Sequence, residues 1–142
     1  MLRPALSLTP ETAALLARAM FPDSARIART LETYQNDSAR TDPARRIFTW
    51  EIGGQPLSAV GLLIDGRQAE ILHIGTHPET VNKGYGRRLV SAVAAELRLS
   101  QLTAETDDDS VGFYRRCGFE IYAAPARSER RRFRCVLNLT PA

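Results

Sequence analysis

Residues 69–90, AEILHIGTHPETVNKGYGRRLV, decide the fold. Ile71-Leu72-His73-Ile74 is an apolar run with β-branched residues and reads as a strand, which His77-Pro78 ends because proline cannot donate to a ladder. Asn82 to Arg88 is polar and twice interrupted by glycine. It leads into Leu89, Val90, Val93, Ala94 and Leu97, which recur at helical spacing. The unit is therefore strand, glycine loop, helix. Glycine lets a backbone approach a ligand closely, and the free amides of a helix start, backed by the helix dipole, favour phosphate. Lys83, the only lysine of the chain, lies in this loop beside Arg87 and Arg88, a cluster suited to a multiply charged anion. A plain flexible connection fits the same residues, so the decision rests on the rest of the chain.

The chain has 142 residues, of which 44% are hydrophobic and 25% charged, the balance of an ordinary globular domain. Its length suits one domain, residues 1–142, with a substantial core. No apolar stretch approaches the ~20 residues that span a bilayer, and no signal-peptide pattern opens the chain, so a cytoplasmic protein is expected. Cys117 and Cys135 lack CxxC spacing and sit among apolar residues, which predicts buried thiols and neither a disulfide nor a metal site. The net charge of +3 helps attract an anionic ligand but does not specify nucleic acid. Abundant Ala and Arg with a single Lys points to a GC-rich bacterial genome.

From the N-terminus, residues 2–8 read as an edge strand carrying Pro4. Thr9-Pro10-Glu11 reads as a helix start. Its apolar face is Leu15, Leu16, Ala19 and Met20, and a second helix, capped by Asp23 or Ser24, runs through Ile27, Leu31 and Tyr34. Gln35 to Arg46 reads as a mobile loop. Arg46–Glu51, Pro56–Ile64 and Ala69–Thr76 form an antiparallel meander through turns at Gly53-Gly54 and Asp65-Gly66. A helix over 86–100, a strand at Leu102–Thr106, a helix at Val111–Cys117 stopped by Gly118, and strands at Phe119–Ala124 and Phe133–Leu139 complete the reading.

This element order resembles the GNAT superfamily of acyl-CoA-dependent N-acyltransferases. Val81-Asn82-Lys83-Gly84-Tyr85-Gly86 is similar to the family's Arg/Gln-x-x-Gly-x-Gly/Ala pyrophosphate loop, and Phe113-Tyr114-Arg115-Arg116-Cys117-Gly118-Phe119 to its Phe-Tyr-x-x-x-Gly-Phe sequence. The resemblance implies an α+β fold, a mostly antiparallel mixed sheet of about seven strands flanked by about four helices, with a dimer through edge strands as the default. It also implies direct transfer of an acetyl group from acetyl-CoA to a primary amine, without a metal. The pantetheine arm would lie along Ile74, Gly75 and Thr76, and the phosphates on the amides from Asn82 through Lys83, Gly84, Tyr85 and Gly86 to Arg87. Two positions depart from the pattern. Val81 removes one side-chain contact to the pyrophosphate, for which Lys83 or Arg87 is the available substitute, and Asp107 stands where many members place a cofactor-touching Asn.

An amine of pKa ~10 must lose a proton before attacking a thioester, and the departing thiolate must gain one. The resemblance makes Tyr114 the general acid and gives Glu70, fourteen residues before Gly84, the first claim as base; a core aromatic and a solvated acid are the plainer readings. His73 is the second candidate, since imidazole titrates near neutrality. Regular alternation puts Glu70 and His73 on opposite faces, so only one points into the cleft. His77 caps the strand end. Arg127, Arg130, Arg131, Arg132 and Arg134, with Glu129, crowd the last hairpin: either a solvated surface or a selector for an acceptor bearing a carboxylate or phosphate. Phe133 is the single interleaved aromatic, too few to specify RNA binding. A non-catalytic acyl-CoA-binding or regulatory module is the competing class.

Overall fold

The computed structural model describes residues 1–38, 44–127 and 130–139. In chain order the elements are β1 (Leu2–Ala5), α1 (Pro10–Ala17), α2 (Ser24–Ser38), β2 (Arg45–Ile52), β3 (Gln55–Asp65), β4 (Gln68–Thr76), α3 (Tyr85–Glu96), β5 (Gln101–Thr106), α4 (Val111–Arg116), β6 (Glu120–Arg127) and β7 (Arg130–Asn138). They build the expected α+β architecture, one seven-stranded sheet in the order β1-β2-β3-β4-β5-β7-β6. Every neighbouring pair is antiparallel except β4 and β5, which are parallel and joined through α3. Pro4 lies on the edge strand, and Thr9 Oγ1 accepts the Thr12 N–H at 3.2 Å, the predicted cap of α1.

Several boundaries differ from the sequence reading, each for a local reason. β1 is shorter, ending at Ala5. Gln35–Ser38 continue α2 and do not form a loop, and Arg45 and Arg46 belong to β2. The buried Asp37 carboxylate accepts the Arg45 N–H at 2.7 Å and lies 3.8 Å from its guanidinium, a tertiary tie that overrides the weak helix propensity of Asn-Asp-Ser. The rest of that polar segment, 39–43, lies outside the described residues. α3 stops at Glu96, short of residue 100, because Arg98 adopts a positive φ of 51° and the chain folds Leu99 into the core. The second hairpin turns at Gly66-Arg67. β6 and β7 reach past their expected limits to Arg127 and Arg130. Cys135 is buried as expected, whereas Cys117, at the end of α4, is half-buried; both thiols are free.

Two apolar clusters cover the sheet. Leu62, Ile71, Leu89, Val93, Leu102 and Tyr114 belong to one, with α3 at its centre; Leu15, Leu16, Tyr34, Ile47 and Ala59 form the other beneath α1 and α2. A β-bulge sits between them. Gly61 pairs with His73 and Leu62 with Ile71, leaving Leu72 as an extra residue. Ile71 and Ile74 pack in the α3 cluster, while Leu72 packs with α1 and α2 and His73 meets Tyr34 of α2. The bulge corrects the expectation of opposite faces: Glu70, in step with Leu72, and His73 both fall on the α1–α2 side.

α1 lies directly on β4, so that a β-carbon on Gly75 would overlap the Leu15 carbonyl. Gly75→Ala is expected to cost about 2 kcal/mol or more in urea denaturation, because backbone must move to admit the methyl. Gly112→Ala, where a β-carbon meets only the Arg116 side chain at 3.4 Å, should be neutral or stabilising. Equal midpoints for Gly75→Ala and the parent would contradict the packing described.

Candidate active site

The parallel pairing of β4 and β5 runs from Gln68↔Gln101 to Ile71↔Ala104 and stops, although β4 continues to Thr76 and β5 to Thr106. Between the unpaired ends lies a cavity of about 430 Å3. Its walls are Leu72–Thr76 of β4, Glu105–Asp107 at the end of β5, Phe113 and Tyr114 of α4, Arg132 of β7, and the end of α1 with the first turns of α2, where Arg18, Arg26, Ile27 and Thr30 face it. Ser58 of β3, fully buried, anchors this end of β4 by donating to the Gly75 carbonyl at 3.2 Å, with Thr76 Oγ1 at the same distance. A larger groove along α3 is lined by residues such as Arg67, Val90, Leu97 and Leu139, without carboxylate or imidazole, and so offers no acid–base pair.

Two titratable side chains in the cavity wall have environments suited to opposite tasks. His73 Nδ1 lies 2.6 Å from the Tyr34 hydroxyl, and burial lowers its pKa from the ordinary imidazole value, keeping the ring neutral at neutral pH. When Nδ1 carries the proton and donates to Tyr34, Nε2 has a free lone pair. Tyr34 is itself pressed against β3 at Gly61, where no side chain would fit beneath its ring. Tyr114 is 5% exposed and meets Phe113 and Phe119 edge-to-face with centroids 5.2 and 5.3 Å away. Burial raises its pKa above the ordinary tyrosine value, so it holds its proton.

The glycine loop adjoins this cavity. Asn82 (φ 71°) and Gly84 (φ 83°) take left-handed conformations that turn the chain into α3, with Gly84 at the N-cap. The amides of the first turn have no partner within the helix, and Lys83, Arg87 and Arg88 beside them are exposed. Gly86 packs so tightly that a β-carbon would meet Phe113 at 3.1 Å and Thr76 Oγ1 at 3.3 Å, both cavity-wall residues. A ligand with an anionic head on the loop and an extended arm along β4 therefore meets one continuous surface. Val81 is 46% exposed and adds no polar contact. Asp107 Oδ1 accepts the Asp109 N–H at 3.1 Å and Oδ2 lies 3.8 Å from the Arg130 guanidinium, so this acid braces the turn before α4.

Of the residues singled out in the sequence, His73, Ile74, Gly75, Thr76, Asp107 and Tyr114 come together on the cavity wall, and Val81–Arg87 form the adjoining loop and helix start. Glu70 does not join them: it lies where β4 is still paired to β5, opposite Thr103. His77 caps the short 3-10 turn Pro78–Thr80, its Nδ1 accepting the Glu79 N–H at 3.2 Å. Tyr34, Arg18 and Arg26 were missed. Tyr34 occupies an apolar position of α2 and carries no local signal of its partner; the arginines sit in a generally arginine-rich chain. Glu129 lies outside the described residues.

The acetyltransferase (GNAT) family matches residues 11–119. No curated protein matches the sequence. Among solved structures, an aminoglycoside 6′-N-acetyltransferase complexed with coenzyme A is 14% identical with a TM-score of 0.78, covering 100% of this chain and 98% of its own. The ribosomal-protein-S18-alanine N-acetyltransferase of Escherichia coli is 19% identical with a TM-score of 0.70, covering 100% and 96%. A GNAT family acetyltransferase from Elizabethkingia anophelis with acetyl-CoA bound is 18% identical with a TM-score of 0.69, covering 98% and 97%. At these identities the likeness is one of fold. The family match spans most of the chain, and the protein belongs to the GNAT acetyltransferase family.

Proposed function

We propose that the protein is an acetyl-CoA-dependent N-acetyltransferase that moves an acetyl group to a primary amine by direct attack in a ternary complex. The observation that carries this reading is the junction of the glycine loop with the cavity through Gly86, Thr76 and Phe113, with His73 and Tyr114 on the cavity wall. The residues present fit acetyl-CoA. The amides of residues 84–87 with Lys83 and Arg87 suit the diphosphate, and the free edge of β4 at Ile74–Thr76 suits the amides of the pantetheine arm. The bound thioester supplies the electrophile: the amine nitrogen forms a C–N bond to its carbonyl carbon, the C–S bond breaks, and the products are an amide and free thiol.

In this reading His73, neutral and held by Tyr34, takes the amine proton at Nε2, directly or through water, and Tyr34 is its positioning residue. Tyr114, kept protonated by burial, gives its proton to the departing sulfur. His73 replaces Glu70 in the base role because Glu70 stands outside the cavity wall.

Tyr114→Phe keeps the aromatic packing and removes only the hydroxyl that carries the proton. It is expected to lower kcat for thiol release from acetyl-CoA by roughly ten- to a hundredfold while acetyl-CoA still binds. Unchanged kcat would remove Tyr114 from the chemistry, and no thiol release from the parent with any amine would favour the acyl-CoA-binding module.

The burial of His73 also sets a pH dependence. Its folded pKa lies below the unfolded value of ~6.5, so protonation opposes folding: stability is full above about pH 6.5 and declines as the pH falls from there toward the folded pKa. Thermal unfolding between pH 7.5 and 5 should show that decline, and His73→Gln should flatten it. The acid limb of kcat/KM, which reports the free enzyme, should have its midpoint below about 6.5 and be lost in His73→Gln; a limb above that value would count against His73 as the base.

A further inference from the structure

The arginines of the last hairpin do not share one environment. Arg131 makes a two-point contact with Asp108, Nη2 to Oδ1 at 2.7 Å and Nε to Oδ2 at 3.3 Å, and Arg130 pairs with Asp107. Arg132 differs. It stands one residue before Phe133, the first residue of β7 paired with β5 (Thr106↔Phe133), alternates to the other face from Arg131, and lines the cavity between β4 and β5. Its Nε is buried and has no hydrogen-bond partner. A buried guanidinium N–H left unmade is costly, and a group of this kind on a cavity wall marks a place for an acceptor atom.

The charges around it point to the sign of that acceptor. Arg18 and Arg26 line the same cavity from α1 and α2. Its carboxylates are Glu105, which lies opposite Arg134 in the β5–β7 register, and Asp107, which is engaged by Arg130 and the Asp109 amide. His73 is neutral there, so the cavity's surplus is cationic. At about 430 Å3 the cavity is at the small end for a ligand site, and the pantetheine arm along Ile74–Thr76 would take part of it, which leaves room for a compact acceptor and not a folded partner.

Resting on the transferase reading above, we infer that the acceptor is a small primary amine that also carries an anionic oxyacid group, a carboxylate or a phosphate, held by Arg132. The guanidinium fork matches either group with two parallel N–H bonds, and the anion so fixed would direct the amine toward the β4 wall. Arg18 and Arg26, nearer the rim, add attraction at longer range.

The test compares glycine, β-alanine, glutamate and O-phosphoethanolamine with their amide or dephosphorylated counterparts, by thiol release from acetyl-CoA and by calorimetric binding, in the parent and in Arg132→Gln. An acidic amine is expected to exceed its neutral counterpart in kcat/KM by at least tenfold, mainly through KM, and Arg132→Gln to remove most of that margin, a ten- to hundredfold loss of the order of one charged hydrogen-bonded contact. Preference for the amino acids or for O-phosphoethanolamine tells carboxylate from phosphate. If no amine releases thiol but acidic amines bind and Arg132→Gln abolishes their binding, the transferase reading fails and the anion site stands. If acidic amines neither react nor bind better than neutral ones, or Arg132→Gln leaves the margin intact, water satisfies Nε and the inference is overturned.

Discussion

The early end of the β4–β5 ladder is the constraint on which the rest depends. Two parallel strands that kept pairing to their tips would satisfy each other's backbone groups and leave no space between them. Here pairing stops at Ile71↔Ala104, so the outer edge of β4 from Leu72 to Thr76 faces a cavity while its other edge remains bonded to β3. An exposed strand edge inside a sheet is otherwise a liability, an invitation to any extended chain. Its persistence requires that neighbouring elements hold the strands apart. α1 does so from one side by seating Leu15 against Gly75, and the Phe113–Tyr114–Phe119 cluster fills the other.

The bulge at Leu72 is the second device. One extra residue sends Leu72 and His73 to the same face, bringing an imidazole beneath α2 where regular alternation would have put it against α3. Tyr34 then fixes the ring, and Gly61 leaves room for Tyr34. A single register shift thus couples three elements, α2, β3 and β4, to the orientation of one nitrogen. The arrangement is rigid because each partner is packed as well as hydrogen-bonded.

Much of the fold was legible because its punctuation is local. Thr9-Pro10, Gly53-Gly54, Gly84-Tyr85-Gly86 and Gly118 each carry a conformational requirement that the sequence states directly, and the order of elements they delimit is the one observed. What escaped was set by tertiary contacts. Asp37 extends α2 through Arg45, eight residues away, and Leu72 bulges because packing on both faces of β4 demands it; neither has a signature at its own position. The candidate site divides in the same way. The glycine loop and Tyr114 stand in motifs, whereas the contrast between Glu70 and His73 depends on where the ladder stops, and the contrast between Arg131 and Arg132 depends on strand alternation past the end of β5. Runs of one residue type hide such differences, since composition gives the hairpin arginines one meaning and geometry separates Arg131 from Arg132.

In the transferase reading the glycine loop and the opened strand edge form one surface for an acyl-CoA. Calorimetric titration of acetyl-CoA into the protein and into Gly84→Asp addresses this, because position 84 faces open space, away from the core, while its positive φ strains any side chain, so an acid there both distorts the loop and places negative charge at the helix start. The parent should bind saturably and one-to-one, and the still-folded variant should lose that binding. Absence of binding by the parent, or equal binding by both, would contradict it.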